Sequence, residues 1–146
     1  MRALLLTLHL LGACVWTGGH FVLAITVLPR ALSRRDVRVL QGFEEPFERI
    51  GIPALIVQVL TGVWLAAQFA PMSRWLAFGN PLETRIGVKL ILLGLTVALA
   101  LHARLRVIPR LDDSRLTLLA THIVIVTLLA VALVVVGASF QTGGLF

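Results

Sequence analysis

Apolar residues fill four long stretches of the chain, and most charged residues lie in the segments between them. An α-helix needs about 20 mostly apolar residues to cross the hydrocarbon core of a bilayer. The pattern therefore predicts four spans, at about residues 3–28, 50–70, 86–108 and 116–137. We expect an all-α integral membrane four-helix bundle that forms a single domain over residues 1–146.

The segment before the second predicted span, about residues 29–49, mixes charged side chains with apolar ones. This mixture predicts a connection that contains a short helix at the membrane interface. Its three glutamates, Glu44, Glu45 and Glu48, are interpreted as a solvated helix face that pairs with nearby arginines.

Arginine is distributed unequally between the two sides that four spans define. The arginine-rich side holds nine of them, and the other side holds Arg2, Arg74 and Arg85. The positive-inside rule places the richer side in the cytoplasm, so both termini are expected on the non-cytoplasmic side. The nine are Arg30, Arg34, Arg35, Arg38, Arg49, Arg104, Arg106, Arg110 and Arg115.

The composition agrees with a bilayer as the solvent. Hydrophobic residues make up 58% and charged residues 14%, whereas a soluble domain is about half apolar and about a quarter charged. The net charge of +6 is not gathered in a basic helix or patch, so nucleic acid is not expected as a partner. Cys14 is the only cysteine, which excludes an internal disulfide. We expect a multi-pass protein of the bacterial inner membrane that forms a homodimer in the lipid bilayer.

The first span carries a stripe of polar and aromatic residues at helical spacing. At about 100° per residue, positions 9, 13, 16 and 20 fall within roughly 40° of one another, which aligns His9, Trp16 and His20. Gly12 and Gly19 lie beside the stripe and would let another group approach closely. The two histidines are about 16 Å apart along the helix axis, so they lie near opposite leaflets.

Ionisable residues of the other spans fall at the same two depths, because consecutive spans run in opposite directions. All four histidines then lie at membrane depth, where ionisable residues are functional candidates by default. The inner group, toward the arginine-rich side, is His20, His102 and His122, and the outer group is His9, Lys89 and Arg85.

A four-helix bundle with inward histidines is suited to b-type haem, because neutral imidazole ligates the iron and aromatic residues pack on the ring. We expect one or two haems, with an inner one on two of the inner-group histidines. An outer one would use His9, with Lys89 as ligand or acid-base partner. Arginines near the headgroups can pair with the propionates. The further candidate haem contacts are Trp16, Gly12 and Gly19 beside the ring, Arg104 and Arg106 at an inner haem, and Arg85 at an outer one.

Two alternatives stay open. Imidazole also suits copper, so the four histidines could serve a copper transport or resistance protein, although membrane copper pathways usually rely on sulfur ligands. The same residues could instead bond helices to one another in a structural subunit that has no cofactor.

Three segments resemble the copper-resistance protein D (CopD) family and the related bacterial membrane protoporphyrinogen oxidase, HemJ. They are "LHLLGACVWTGGHFVLAITVLPRAL", "FEEPFERIGIPALIVQVLTGVWLA" and "RIGVKLILLGLTVALALHARLRVIPRL". The most specific parts are the His-x₆-Trp-x-Gly-Gly pattern of the first span, the "LPR" at its exit, and the Lys89 and His102 positions.

The resemblance implies a four-span haem protein of the inner membrane. In HemJ-like proteins a first-span histidine and a third-span lysine are tied to haem and activity, and by motif these are His9 and Lys89. CopD-like proteins are associated with copper uptake or tolerance. His20 and His122 depart from the HemJ pattern. We therefore expect electron transfer or redox chemistry linked to a quinone, another redox partner or a porphyrinogen substrate, whereas the enzyme class stays open.

Overall fold

The computed structural model describes residues 1–110, 112 and 114–143, and within them four helices are long and apolar enough to cross a membrane. The same residues contain no strand, which confirms the all-α prediction. The helices are α1 (Arg2–Arg34), α2 (Val37–Phe69), α3 (Pro81–Arg110) and α4 (Leu116–Thr142).

The helices pack in a defined neighbour order. α1 packs along both α2 and α4, and α4 packs along α3, whereas α2 and α3 make few direct contacts. The outer surface exposes large apolar side chains, among them Ile25, Leu60 and Leu128. Such a surface suits lipid tails, which are as apolar as the side chains themselves. The bundle is thus least closed between α2 and α3.

The segment predicted as a connection with a short interfacial helix is instead almost wholly helical. α1 continues to Arg34 and α2 begins at Val37, so only Arg35 and Asp36 join them. Arg35 has φ 48° and ψ 41°, the left-handed conformation that ends a helix. The Asp36 carboxylate accepts from the backbone N–H of Arg38 at 3.0 Å and caps α2. Hydrogen bonds from Arg38 hold the pKa of Asp36 below its usual range.

The connection between α2 and α3 is tied down by hydrogen bonds. Trp75 is buried, and its indole N–H donates to the Ala70 carbonyl at 2.9 Å. The Asn80 side chain caps α3 by accepting from the Glu83 N–H at 2.9 Å. Arg74 donates to the Glu83 carboxylate at 2.8 Å, and this bond raises the pKa of Arg74. The connection therefore fixes where α3 begins.

Buried apolar clusters occupy different levels of the bundle. One joins α1 to α4 at the level of Trp16 and Ala130, and another packs the α2–α3 connection around Trp75. The largest lies at the end where α1 and α3 terminate, which we call the arginine-rich end. Its members are Leu23, Leu28, Ala31, Leu40, Val107, Leu116, Leu119 and Ile123.

Cysteine labelling in intact cells tests the orientation that the arginine distribution predicts. In a Cys14→Ala background, Ser33→Cys places an exposed thiol at the arginine-rich end, and Ser73→Cys places one in the α2–α3 connection. A membrane-impermeant maleimide should label the Ser73→Cys protein in intact cells and the Ser33→Cys protein only after permeabilisation. The reverse pattern would contradict the orientation, and the Cys14→Ala parent is the unlabelled control.

Candidate functional site

Three of the four histidines are held in the same way, with ring Nδ1 bonded to a backbone carbonyl. A carbonyl only accepts, so Nδ1 carries the proton and Nε2 of the neutral ring keeps a lone pair. Metal-ligating histidines are oriented by this kind of bond. The bonds are His9 to Gln58 at 2.9 Å, His20 to Trp16 at 2.8 Å and His122 to Leu118 at 2.9 Å.

His20 and His122 line a cavity of about 260 Å³ that is bounded by all four helices. Both histidines are buried, and each is 8% exposed. The Trp16 ring lies 4.4 Å from the His20 ring, and the Phe47 ring meets His20 edge-on at 5.5 Å, measured between centroids. The predicted stripe on α1 thus faces inward at this level and ends in an aromatic-walled cavity.

Two polar atoms at this cavity are buried without a hydrogen-bond partner. They are the Nε1 donor of Trp16 and the Oε2 acceptor of Glu44, and both residues line the cavity. Buried polar atoms nearly always have partners, so these two atoms have room for a partner from outside the chain, either a water molecule or a polar ligand.

An ion pair spans the gap between α2 and α3 beside the same cavity. Arg104 of α3 pairs with Glu48 of α2, and both line the cavity wall. Since these helices make few other contacts, the pair joins them where the bundle is least closed. Arg106 is exposed, and it is not among the cavity-lining residues.

His102 and His122 form a pair. Nδ1 of His102 lies 2.8 Å from Nε2 of His122, and the rings stack with centroids 5.0 Å apart. Because the Leu118 carbonyl already takes the proton of His122 Nδ1, His102 is the donor when both rings are neutral. His122 Nε2 is then occupied, while His102 keeps a lone pair on Nε2 and lies exposed on the bundle surface. The predicted inner group therefore divides into a buried His20 and a mutually bonded pair.

π-helical turns follow two of these histidines directly. One covers Leu23–Val27 of α1, just after His20, and the other covers Ala103–Val107 of α3, just after His102. Single π-turns inside α-helices often occur at functional sites, because the extra residue rotates the helix face. Both turns lie at the level of the cavity.

Gly12 and Gly19 were predicted to let another group approach closely, and in the structure the groups that approach them belong to α2. A Cβ at Gly12 would lie 2.9 Å from the Ala54 carbonyl of α2, so Gly12 serves the α1–α2 crossing. A Cβ at Gly19 would overlap the Phe47 ring, which also packs against Gly51. The Phe47 ring therefore occupies the space beside Gly19 where we expected a haem.

The outer group lies toward the opposite end of the bundle. Nδ1 of His9 also approaches the Thr61 hydroxyl at 3.1 Å, and the ring packs against Gly62. Lys89 reaches α4, where its Nζ atom lies 3.4 Å from the position that a Cβ at Gly137 would take. Arg85 and Lys89 both lie over the Phe140 ring, at 6.0 and 5.8 Å from its centroid.

The sequence reading missed the cavity role of the α2 segment that it placed in a connection. Glu45 and Arg49 do form the predicted exposed pair at 3.0 Å, but Glu44, Phe47 and Glu48 line the cavity. Residues 44, 47 and 48 are three and four positions apart, which is the spacing of one helix face. This spacing could have indicated that the inward face of α2 continues through the segment. Cys14 is exposed on the bundle surface.

The helices and the buried imidazoles define a multi-pass membrane protein. A family model, CopD, copper resistance protein D, matches residues 41–140, which is more than half of the chain. The chain therefore belongs to the copper resistance protein D family. No curated protein and no solved structure matches it. Among the described residues, no three His, Cys, Asp or Glu side chains are grouped closely enough to hold one metal ion.

Adjacent glycines give a matched test of the Gly19–Phe47 contact. Gly19→Ala should destabilise the protein by about 1–3 kcal/mol, because the new methyl group overlaps a packed ring. Gly18→Ala is the control, since no atom lies within 4 Å of a Cβ there, and it should be neutral or stabilising. Thermal unfolding in detergent measures both, and equal melting temperatures would contradict the described packing.

Proposed function

We propose that the protein binds a b-type haem in the inner cavity and transfers electrons at the membrane. One observation carries this proposal: His20 lines an aromatic-walled cavity with its Nε2 lone pair unused by the hydrogen bond that orients it. Neutral imidazole presented in this way is the usual axial ligand of a b-type haem in a four-helix bundle.

The histidines at the cavity are suitable ligands for haem, and the volume of the cavity limits how haem can bind. At about 260 Å³ the cavity lies just below the range of about 300–1,000 Å³ that is typical of small-molecule sites. Binding therefore requires the Phe47 ring to leave the space beside Gly19. The Trp16 Nε1 donor would then gain an acceptor in a haem carboxylate, whereas Glu44 Oε2 would not, because haem with ionised carboxylates has no N–H or O–H to donate.

Each residue has a distinct task in this proposal. A bound haem would supply one-electron redox chemistry, and His20 would ligate it. His122 would become a second ligand only after its Nε2 atom releases the hydrogen bond from His102. Arg104 lies at the cavity wall, where its guanidinium can pair with an entering carboxylate if it releases Glu48.

The outer group extends the proposal. The Nδ1 atom of His9 is bonded to a backbone carbonyl, as that of His20 is. His9 and Lys89 are the two positions that the HemJ resemblance ties to haem and activity. We place there a second haem or the acid-base chemistry of a porphyrinogen substrate. The proposal includes a quinone or another redox partner, the bacterial inner membrane as location, and a homodimer of single four-span domains.

The first experiment is a reduced-minus-oxidised visible spectrum of the detergent-purified protein, with haem and metals quantified on the same sample. The wild-type protein should show the α and Soret bands of a b-type cytochrome. His20→Ala should lose the inner haem, because an alanine offers no axial ligand. A folded, colourless protein that also refuses added haem would overturn the proposal.

Cys14→Ala is the matched control for His20→Ala. It lies on the same helix but on the exposed surface, so its haem content and melting temperature should equal those of the wild type. His102→Ala should leave the haem on His20 in place, because His102 is exposed on the bundle surface and bonds to His122 rather than to His20. A His20→Ala protein with full haem content would exclude His20 as the ligand.

Copper handling is the second candidate, and the family description favours it, since it names copper resistance. The same Nε2 atoms of His9, His20 and His102 would be the ligands. This alternative predicts bound copper without a Soret band, and lower copper content in the His20→Ala protein. Copper content at the level of adventitious binding, with a haem spectrum present, would exclude it.

A further inference from the structure

Three cations gather around two aromatic rings at the end of the bundle opposite the arginine-rich end. Phe69 of α2 and Phe140 of α4 are in contact, with centroids 6.0 Å apart. The Arg2 guanidinium lies 4.9 Å from the Phe69 centroid, and Arg85 and Lys89 lie over Phe140. Arg85 and Lys89 are four residues apart on α3, so they are neighbours on one helix face.

These cations have no acidic partner among the described residues. None of the four ion pairs among the described residues includes Arg2, Arg85 or Lys89. The acidic residue closest in sequence, Glu83, is engaged through both oxygens, by Arg74 at 2.8 Å and by the Gly79 N–H at 3.0 Å. The acidic residues that the structure describes therefore do not neutralise this cluster.

Arg85 is the critical member because it is only 9% exposed. Its Nη2 donates to the Gly143 carbonyl at 2.9 Å, which places it at the negative end of the α4 dipole, but its Nε is buried without a partner. A buried guanidinium with an unused donor is costly unless an anion completes it. Guanidinium groups match carboxylate and phosphate oxygens in a planar, two-point geometry.

The location adds a second argument. Membrane proteins concentrate arginine and lysine on the cytoplasmic side, and this chain has nine arginines at the other end. Cations that gather on the depleted side are not explained by topology. We propose that Arg85 and Lys89 bind an oxyanion at the membrane surface, and that the phosphate of an anionic phospholipid supplies it.

The test uses the full-length protein in dodecyl maltoside, with phosphatidylglycerol added and bound lipid counted by native mass spectrometry. The wild type should retain phosphatidylglycerol in preference to phosphatidylcholine with the same acyl chains. The R85Q/K89Q double variant should bind phosphatidylglycerol about ten-fold more weakly or worse, since it loses two charge-assisted contacts. High salt should weaken the wild-type binding in the same direction.

The R34Q/R110Q double variant is the control, because it loses the same charge from exposed positions at the arginine-rich end. It should bind phosphatidylglycerol as the wild type does. Equal binding by the wild type and R85Q/K89Q, or equal retention of the two lipids, would overturn the proposal. Competition by millimolar inorganic phosphate would support the oxyanion site and make a soluble anion its source.

Melting temperatures keep the test valid if R85Q/K89Q folds poorly. Phosphatidylglycerol should raise the melting temperature of the wild type. It should raise that of K89Q by a smaller amount, because Arg85 remains to bind the phosphate. A loss of stability in R85Q/K89Q that is equal with and without the lipid would mean that the cations only support the fold, and would overturn the proposal. The test measures lipid binding and melting temperature and does not depend on haem content. Its result can therefore be interpreted even if the protein proves to bind no haem.

Discussion

The hydrogen bond from histidine Nδ1 to a helix carbonyl is the interaction on which the rest of the site depends. In a bilayer no water is present to satisfy a ring N–H, and unpaired polar groups cost several kcal/mol. His20 and His122 each use the carbonyl one turn earlier on their own helix, while His9 reaches across to α2. This choice fixes the tautomer, which leaves Nε2 unprotonated on each neutral ring. The chemistry available to the bundle follows from that one constraint.

The sequence predicted the architecture well, because four apolar stretches of membrane length leave few alternatives. It also placed His20, His102 and His122 at one level, and the structure brings His102 and His122 into contact there. What it could not supply was the partner of each ring nitrogen, which depends on helix rotation. A pattern of polar positions does not reveal that His102 donates to His122 and lies exposed on the surface.

The differences from prediction lie where local composition and tertiary packing disagree. Charges within residues 29–49 made that segment look like a connection, although α2 begins at Val37 and carries Glu44 and Glu48 toward the cavity. The Phe47 ring also lies in the space beside Gly19 where the sequence predicted a cofactor, a prediction that the structure does not test. Both differences have one cause: the inward face of α2 extends further toward the arginine-rich end than its run of apolar residues.

The two ends of the bundle manage charge in different ways. At the arginine-rich end, the side chains of Arg38, Arg49 and Arg104 are each paired with an acidic partner. At the opposite end, Arg74 takes the one described glutamate, and aromatic rings lie under the remaining cations. Rings attract a cation but do not neutralise it. Three arginines of the first end thus have acidic partners within the protein, whereas Arg2, Arg85 and Lys89 at the second end have none among the described residues.

The length of α2 has a consequence for how anything reaches the cavity. Its 33 residues extend over about 50 Å, whereas the hydrocarbon core of a bilayer is about 30 Å thick. The helix must tilt strongly or extend beyond the hydrocarbon, and Glu44 and Glu48 lie in its first third. A helix that extends beyond the hydrocarbon would carry these two carboxylates, and the side of the cavity that they line, toward the polar headgroups. The Glu48–Arg104 pair would then lie on the side of the cavity nearest to water.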